Sequence, residues 1–321
     1  MWAPMYPAPP VTRVEAVTVR HCTVRSVIAA VVVTFSAPAE VLDRCLRALS
    51  GAGGLDRIVV VDTGGRAVIP SDLDVAVELI RMDNLGYGAA ANHGVAALRG
   101  ANPVALLNDD VVVDAGWLDP LVDALQPDDV GAVQPALLAP GREAVVSLGV
   151  ETDRYGAGSD IGDGDPLPAD RSERSLDVFT GGAVLFDRAF LESTGGFDER
   201  FFLYYEDVDL ARRGRSLGWR YRVVPESTVE HRRGTSTDAR PDETRFLQER
   251  NRLWFVYRFG SPSHVARATW LSVRRLRHEP KAIHRRALGA GLAGAPSRLV
   301  ERARARRSDG SSDDTVGTDR P

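Results

Sequence analysis

Residues 26–35 read Ser-Val-Ile-Ala-Ala-Val-Val-Val-Thr-Phe, a small and β-branched apolar run that stays unbroken from Val27 to Val33. A half-solvated strand would alternate apolar with polar residues, so this run predicts a strand covered on both faces. Such a strand obliges the chain to supply helices for two faces and more strands alongside, and the following residues do so. Val41, Leu42, Cys45, Leu46 and Leu49 recur at helical spacing within 38–49, and Gly51–Gly54 ends that helix. Apolar runs at 58–61, 75–80 and 104–107 follow, with an alanine-rich helical stretch at 89–98 between the last two. The expected fold is α/β, a mostly parallel sheet with flanking helices.

In sheets of this kind ligands bind beyond the carboxyl ends of the strands. Three successive strand ends carry Asp62, Asn84 and Asn108-Asp109-Asp110. Acids crowded at a buried strand end repel one another unless a cation or donors satisfy them. A hard divalent ion, Mg²⁺ or Mn²⁺, is one solution, and a solvated turn is the other. Asp62 could contact a base or ribose, but taken alone it reads as the start of a turn into Gly64-Gly65. Asn84-Leu85-Gly86-Tyr87-Gly88 would let backbone approach a ligand closely.

Residues 139–175 are rich in Gly, Asp and Pro and read as loops and short strands. Regular structure resumes at 178–186, with a helix near 188–194. The sharpest local signal follows, Gly195-Gly-Phe-Asp-Glu-Arg-Phe-Phe-Leu-Tyr-Tyr-Glu206-Asp207-Val-Asp209-Leu210, an aromatic cluster running into three carboxylates at a helix start. Capping of the helix dipole explains one acid comfortably, but hardly three beside four aromatics. A positioned acid in a partly dry pocket suits a general base. Further on, 221–224 reads as a short strand closed by Pro225, and 245–259 as a helix. His231 alone reads by default as a surface or packing residue, and Trp117 and Trp219 as core.

The chain has 321 residues, 44% hydrophobic and 26% charged, with a net charge of -4, which argues against a dedicated nucleic-acid binder. Cys22 and Cys45 stand in no metal or redox spacing, which fits a reducing cytoplasm. The longest apolar run is too short to cross a bilayer. Residues 262–307 hold 12 Lys and Arg against Glu279 and Glu301, with Trp270, Leu271, Val273 and Leu276 interleaved. This stretch reads either as a solvated face inflated by the arginine-rich coding bias or as a surface that docks on anionic lipid. RNA binding lacks any accompanying motif.

Taken in order, Val31-Val-Val-Thr34-Phe35, Val60-Val61-Asp62, Asn84-Leu-Gly-Tyr-Gly, Leu106-Leu-Asn-Asp-Asp110, Thr180-Gly181-Gly182, Gly195-Gly-Phe-Asp-Glu199, Tyr205-Glu-Asp-Val-Asp-Leu210 and His231 resemble the inverting family 2 glycosyltransferases of the GT-A fold, closest to rhamnosyltransferase-like members that build cell-wall or surface polysaccharide. The resemblance implies roles position by position. Thr34 and Asp62 match positions that contact the base, and Asn84 and Gly86 match the loop lining the nucleotide. Asp110 matches the metal-binding acid, with Asn108 and Asp109 beside ribose and diphosphate, and Asn108 replaces the usual first acid. Gly181 and Gly182 match a stretch facing donor sugar and acceptor. Asp207 matches the catalytic base with Glu206 as its neighbour, and His231 a position that completes the metal shell in some members.

The implied reaction is a single inverting displacement from a nucleotide diphosphate sugar, dTDP-rhamnose or a UDP-sugar, onto a hydroxyl of a glycan or lipid-linked acceptor. Mg²⁺ or Mn²⁺ would neutralise the departing diphosphate. The implied layout is a flexible extension at 1–23, a GT-A catalytic domain at 24–260, a basic helical extension at 261–307 and a disordered tail at 308–321. The implied location is cytoplasmic, with peripheral contact at the inner face of the plasma membrane if the basic stretch docks there. A nucleotidyltransferase would place a glycine-rich, basic phosphate loop after the first strand, where this chain has Ser36-Ala37-Pro38-Ala39-Glu40. A nucleotide-sugar binding module without activity is the other alternative.

Overall fold

The computed structural model describes residues 27–232, 241–278 and 282–310. The expected extension at 1–23 and the tail beyond Gly310 lie outside the described residues. The chain opens with β1 (Ala29–Thr34), α1 (Ala39–Ala52), β2 (Arg57–Asp62), β3 (Ala76–Arg81), α2 (Tyr87–Ala97) and β4 (Val104–Asn108). These are the strands and helices expected from the apolar runs, within a residue or two at most ends. Next come β5 (Val111–Val113), α3 (Asp119–Ala124), β6 (Val130–Leu138), β7 (Val145–Ser147), β8 (Val150–Thr152), β9 (Gly158–Asp160) and β10 (Arg174–Leu176). The last part holds β11 (Ala183–Phe186), α4 (Arg188–Thr194), α5 (Glu206–Ser216), β12 (Arg220–His231), α6 (Pro241–Phe259), α7 (Pro262–His278) and α8 (Ala282–Gly310).

The main sheet runs β10-β12-β6-β11-β4-β1-β2-β3, with β5 on β12 and β7 on β6. β1 pairs in parallel with β2 and β4, β2 with β3, and β6 with β12. β11 is antiparallel to both β4 and β6, so the six long strands around it share one direction. All of β1 is buried, and its side chains divide by parity. Val31 joins the core beneath α2, while Ala30 and Val32 pack with Leu42, Cys45, Leu46 and Leu49 of α1. Each such side chain removed from water contributes about 1.5–3 kcal/mol. Helix α2 lies close on the sheet because Gly94 faces Val31, where a Cβ would come within 2.4 Å of the valine.

Two readings need correction. The regular structure expected over 178–186 is a strand only in β11, because Thr180 and Gly181 leave the sheet to line the cavity. Pro225 does not close the last strand. The pairing with β6 shifts between Val224 and Thr228, so residues 225–227 bulge out and the strand resumes to His231.

Helices α7 and α8 pack on α6 and on one another. Arg298 of α8, only 1% exposed, bonds Asp198 Oδ2 at 2.7 Å and lies over the rings of Phe201 and Trp254 at 4.9 and 4.8 Å. Arg258 joins the same cluster, reaching Asp198, Asp209 and Glu301. Burial alone would raise the Asp198 carboxyl, but Arg200 and Arg298 hold it well below the usual range.

Candidate active site

A cavity of about 560 Å³ opens at the carboxyl ends of β1 and β4 and is closed above by the start of α6. Asn84, Gly86, Asn108, Asp109, Asp110, Gly181, Gly182, Glu206, Asp207 and His231 all line it. Ten of the twelve residues expected at the site are thus brought together, and Thr34 and Asp62 sit behind the wall. Asp62 is 1% exposed and holds the turn after β2, accepting from Gly64 N and Gly65 N on Oδ1 and from Ala67 N on Oδ2 at 2.8–2.9 Å. Thr63 lines the cavity in its place. The Thr34 hydroxyl donates to Asp109.

Gly86 has φ of 103°, and a Cβ there would meet the Phe202 carbonyl oxygen at 2.4 Å. Asn84 Oδ1 accepts from its amide at 3.1 Å. Only glycine fits, because Tyr87 N bonds Phe202 O at 2.7 Å and draws the two loops together.

At the end of β4, Asp109 and Asp110 are both buried. Burial and the adjacent Asp110 push the Asp109 carboxyl up to about 6, against hydrogen bonds from Thr34 and Phe35. Asp109 Oδ2 has no hydrogen-bond partner. His231, carried to the site by the resumed part of β12, sets Nε2 3.2 Å from Asp110 Oδ1 and 3.3 Å from Asn108 Nδ2. Among the described residues no group of three or more His, Cys, Asp or Glu side chains is placed to hold an ion. Asp110 and His231 nonetheless supply one oxygen and one nitrogen donor beside the unpartnered oxygen of Asp109. That partial set fits a divalent ion whose remaining positions come from phosphate oxygens and water. Cys45 supports the turn from below, donating Sγ–H to Asn108 O at 3.7 Å, and burial keeps its thiol protonated.

Across the cavity, Glu206 and Asp207 open α5. Asp207 Oδ2 accepts from Gly181 N at 2.9 Å and Oδ1 from Val208 N at 2.8 Å. Tyr87 donates to Gly181 O at 2.7 Å, so α2 fixes the peptide that fixes Asp207. Burial raises both carboxyls, Glu206 to about 8 with the Asp207 charge adding to it. Glu206 Oε2 is buried without a partner, whereas Asp207 has two N–H donors. The shared proton therefore belongs on Glu206 and the charge on Asp207. The third acid, Asp209, is turned away and wholly buried, paired with Arg213 at 2.7 Å and Arg258 at 2.6 Å.

The loop before α5 is strained, with Phe202, Tyr204 and Tyr205 at φ of 68°, 66° and 71°. Asn251 of α6, fully buried, sets Nδ2 within 3.0 Å of the carbonyls of Phe201, Leu203 and Tyr204. Asn251 is the functional residue that sequence reasoning missed, together with the lining residues of α6, Leu247 and Gln248. Trp117 is buried as expected, and Trp219 bonds Ser193 away from the cavity.

A parallel sheet with acids at its switch point, a glycine loop over them and a held carboxylate opposite defines a GT-A glycosyltransferase. The model of the family described as "Glycosyltransferase like family 2" matches residues 25–252, and the chain belongs to that family. The N-acetylglucosaminyl-diphospho-decaprenol L-rhamnosyltransferase of Mycobacterium tuberculosis (strain ATCC 25618 / H37Rv) is 30% identical over 243 residues, covering 67% of this chain and 79% of that protein. The O-antigen biosynthesis protein RfbC of Myxococcus xanthus is 31% identical over 235 residues, 69% of this chain but 18% of the longer relative. Among solved structures, GalNAc-T7 with UDP, GalNAc and Mn²⁺ superposes with a TM-score of 0.60 at 14% identity, over 91% of this chain and 58% of that one. The mannosyltransferase PcManGT from Pyrobaculum calidifontis, in complex with GDP-Man and Mn²⁺, gives 0.51 at 16% identity over 92% and 89%. At these identities the two structures speak for the fold.

Proposed function

We propose that the chain is an inverting, metal-dependent glycosyltransferase that moves a sugar from a nucleotide diphosphate donor to a hydroxyl of a glycan or lipid-linked acceptor in cell-wall or surface polysaccharide synthesis. The observation that carries this reading is Asp207, held by two backbone N–H groups opposite the buried acids that end β4. We assign the nucleotide to the cavity wall of Asn84, Gly86 and Asn108, backed by Thr34 and Asp62. The diphosphate belongs beside Asp109, and the sugar against Gly181 and Gly182. Asp110 and His231 would hold Mg²⁺ or Mn²⁺, which when bound supplies charge neutralisation to the leaving diphosphate. Asp207 accepts the proton of the acceptor hydroxyl as that oxygen attacks the anomeric carbon. Glu206 stays protonated, which keeps a second negative charge away from the attacking oxygen. dTDP-rhamnose is the first donor to try, because two rhamnosyltransferase-like features coincide: the motif order and the 30% identical relative. A UDP-sugar is the second.

We read residues 24–260 as the catalytic unit and α7–α8 as a basic extension fixed to it. Among the described residues no helix is long and apolar enough to cross a membrane. Trp270 and Val273 of α7 are 53% and 41% exposed, with Arg267, Arg274 and Arg277 exposed around them. This face suits peripheral contact with an anionic membrane at the cytoplasmic side. The test of the activity is nucleotide diphosphate release from a panel of nucleotide sugars with Mg²⁺ or Mn²⁺ and a hydroxyl acceptor. Release of pyrophosphate instead identifies a nucleotidyltransferase, and binding with no release identifies a sugar-nucleotide binding module.

A further inference from the structure

Strand β6 is buried along its whole length, and its one side-chain amide, Gln134, is wholly buried too. An apolar side chain would fill that place without desolvating an amide, so the partners of the glutamine carry its meaning. Its Nε2 reaches Pro135 O only at 3.5 Å, the outer limit of a hydrogen bond. Its Oε1 accepts from Thr180 N at 3.0 Å. The ladder between β6 and β11 ends at Val133–Leu185, and Gln134 is the next residue of β6. Thr180 lies just before β11, outside any ladder, where its N–H needs an acceptor.

Thr180 opens a short turn held at three points. Gln134 takes the Thr180 N–H from β6, Tyr87 donates its hydroxyl to Gly181 O at 2.7 Å from α2, and Asn108 N donates to Gly182 O at 3.0 Å from β4. The turn presents the Gly181 N–H, which donates to Asp207 Oδ2 at 2.9 Å. The peptide that carries this N–H is therefore flanked by two others, one braced by Gln134 and one by Tyr87. Release of either neighbour frees the middle peptide to rotate away from the carboxylate. A carboxylate that accepts a backbone N–H is favoured in its charged form, and that preference is lost with the bond.

We infer that Gln134 and Tyr87 are positioning residues for the transfer: bracing the peptides on either side, they keep the Gly181 N–H on Asp207 Oδ2 and so keep the base charged and oriented. The inference rests on the transferase reading, because only a base must hold its charge before the reaction. Gln134 does not line the cavity and acts through Thr180.

Other titratable and charged groups line the two cavities that meet at Asp207. Beyond it stand Glu206 on its own helix, Tyr204 and Tyr205 before that helix, Asp160 of β9, Arg245, Glu249 and Arg252 of α6, Arg275 of α7 and His284 of α8. On the donor side are Asp109, Asp110, His231 and Glu243. Neither Gln134→Met nor Tyr87→Phe alters a charge on any of these, and burial holds the Tyr87 phenol itself neutral.

The test reads the Asp207 carboxyl by ¹³C NMR titration of the full chain labelled at aspartate Cγ, its signal identified by loss in Asp207→Asn. Because Glu206 shares a proton with Asp207, the titrations use a Glu206→Gln background, where one carboxyl of the pair remains. Gln134→Met keeps the size of the side chain and removes its oxygen, and should raise the Asp207 midpoint by about one pH unit, the worth of one charged hydrogen bond. Tyr87→Phe should raise it as well, and the double variant by less than the sum, since both act on one N–H. With Glu206 intact, the acid limb of kcat/KM should move to higher pH in each variant, and activity should return on the alkaline side. An activity lowered equally at every pH, with the limb in place, marks a structural role and overturns the inference. So does an unshifted midpoint in both variants. If circular dichroism shows Gln134→Met unfolded, Tyr87→Phe, which loses one hydroxyl, decides alone. Shifted midpoints without nucleotide diphosphate release from any donor sink only the transferase reading. Release with an unshifted midpoint sinks only the positioning role.

Discussion

Asp207 and Glu206 sit side by side with opposite assignments, and the difference is one of hydrogen bonds. Asp207 has Gly181 N and Val208 N, while Glu206 Oε2 has nothing. Asp207→Asn should lower kcat by about 10²–10⁴, the usual worth of a general base, while the donor dissociation constant stays within about twofold of the parent. Burial raises the Asp207 carboxyl, so kcat/KM should fall on acidification with a midpoint above the ordinary aspartate value of about 3.9. Glu206 gives a stability effect of defined sign. Its folded carboxyl is raised to about 8, so the folded state binds the extra proton and stability declines as pH rises from the unfolded value toward 8. Glu206→Gln should therefore raise Tm at pH 8 relative to the parent and leave Tm at pH 4 nearly unchanged, as read by thermal denaturation. The pair was legible in the sequence because acids after aromatics at a helix start have few structural uses. Asn251 was not, because an asparagine inside a helix pattern carries no sign that it faces carbonyls 47–50 residues earlier.

The elements divide by how well their patterning survives function. β1, β2 and β4 are continuous apolar runs buried on both faces, and such runs were read within a residue or two. β6 is buried throughout yet was not read, because Gly131, Gln134 and Pro135 interrupt its apolar residues. Gln134 Oε1 accepts from Thr180 N at 3.0 Å, so the polar interruption anchors the site loop. The far half of β12 was lost behind Pro225, which signals an end but here only begins a bulge. The strand's continuation past the bulge is what delivers His231 to Asp110. The loop from Phe202 to Tyr205 holds three non-glycine residues at positive φ, each costing about 1–3 kcal/mol unless neighbours enforce it. Asn251→Asp, which replaces the donating amide by a carboxylate facing the same carbonyls, should lower Tm by several degrees and depress kcat more than Asn251→Ala does. A variant with unaltered kcat would show that the loop keeps its shape without α6.

The whole molecule is tied together where the family pattern has ended. Residues 25–252 carry the family match, yet Arg298 lies beyond it and is among the largest buried side chains. Removing one partner of a buried ion cluster leaves charge uncompensated, so Arg298→Ala should destabilise by about 3 kcal/mol, measured by denaturant titration. The membrane contact proposed for the outer side of α7 has its own test. Flotation with vesicles containing anionic lipid should recover the protein at low salt, less so at 0.5 M NaCl, and much less in a variant carrying R267Q, R274Q and R277Q. The composition announced a basic C-terminal stretch, but its division into an inward Arg275 and Arg298 and an outward Arg267, Arg274 and Arg277 depends on which side of each helix meets α6. The Asp198–Arg298 contact spans 100 residues of chain. On a ribosome adding about 5–20 residues per second, Asp198 emerges well before its partner is made. The growing polypeptide thus carries its central sheet, with Asp198 awaiting the arginine that neutralises it, for many residues of synthesis.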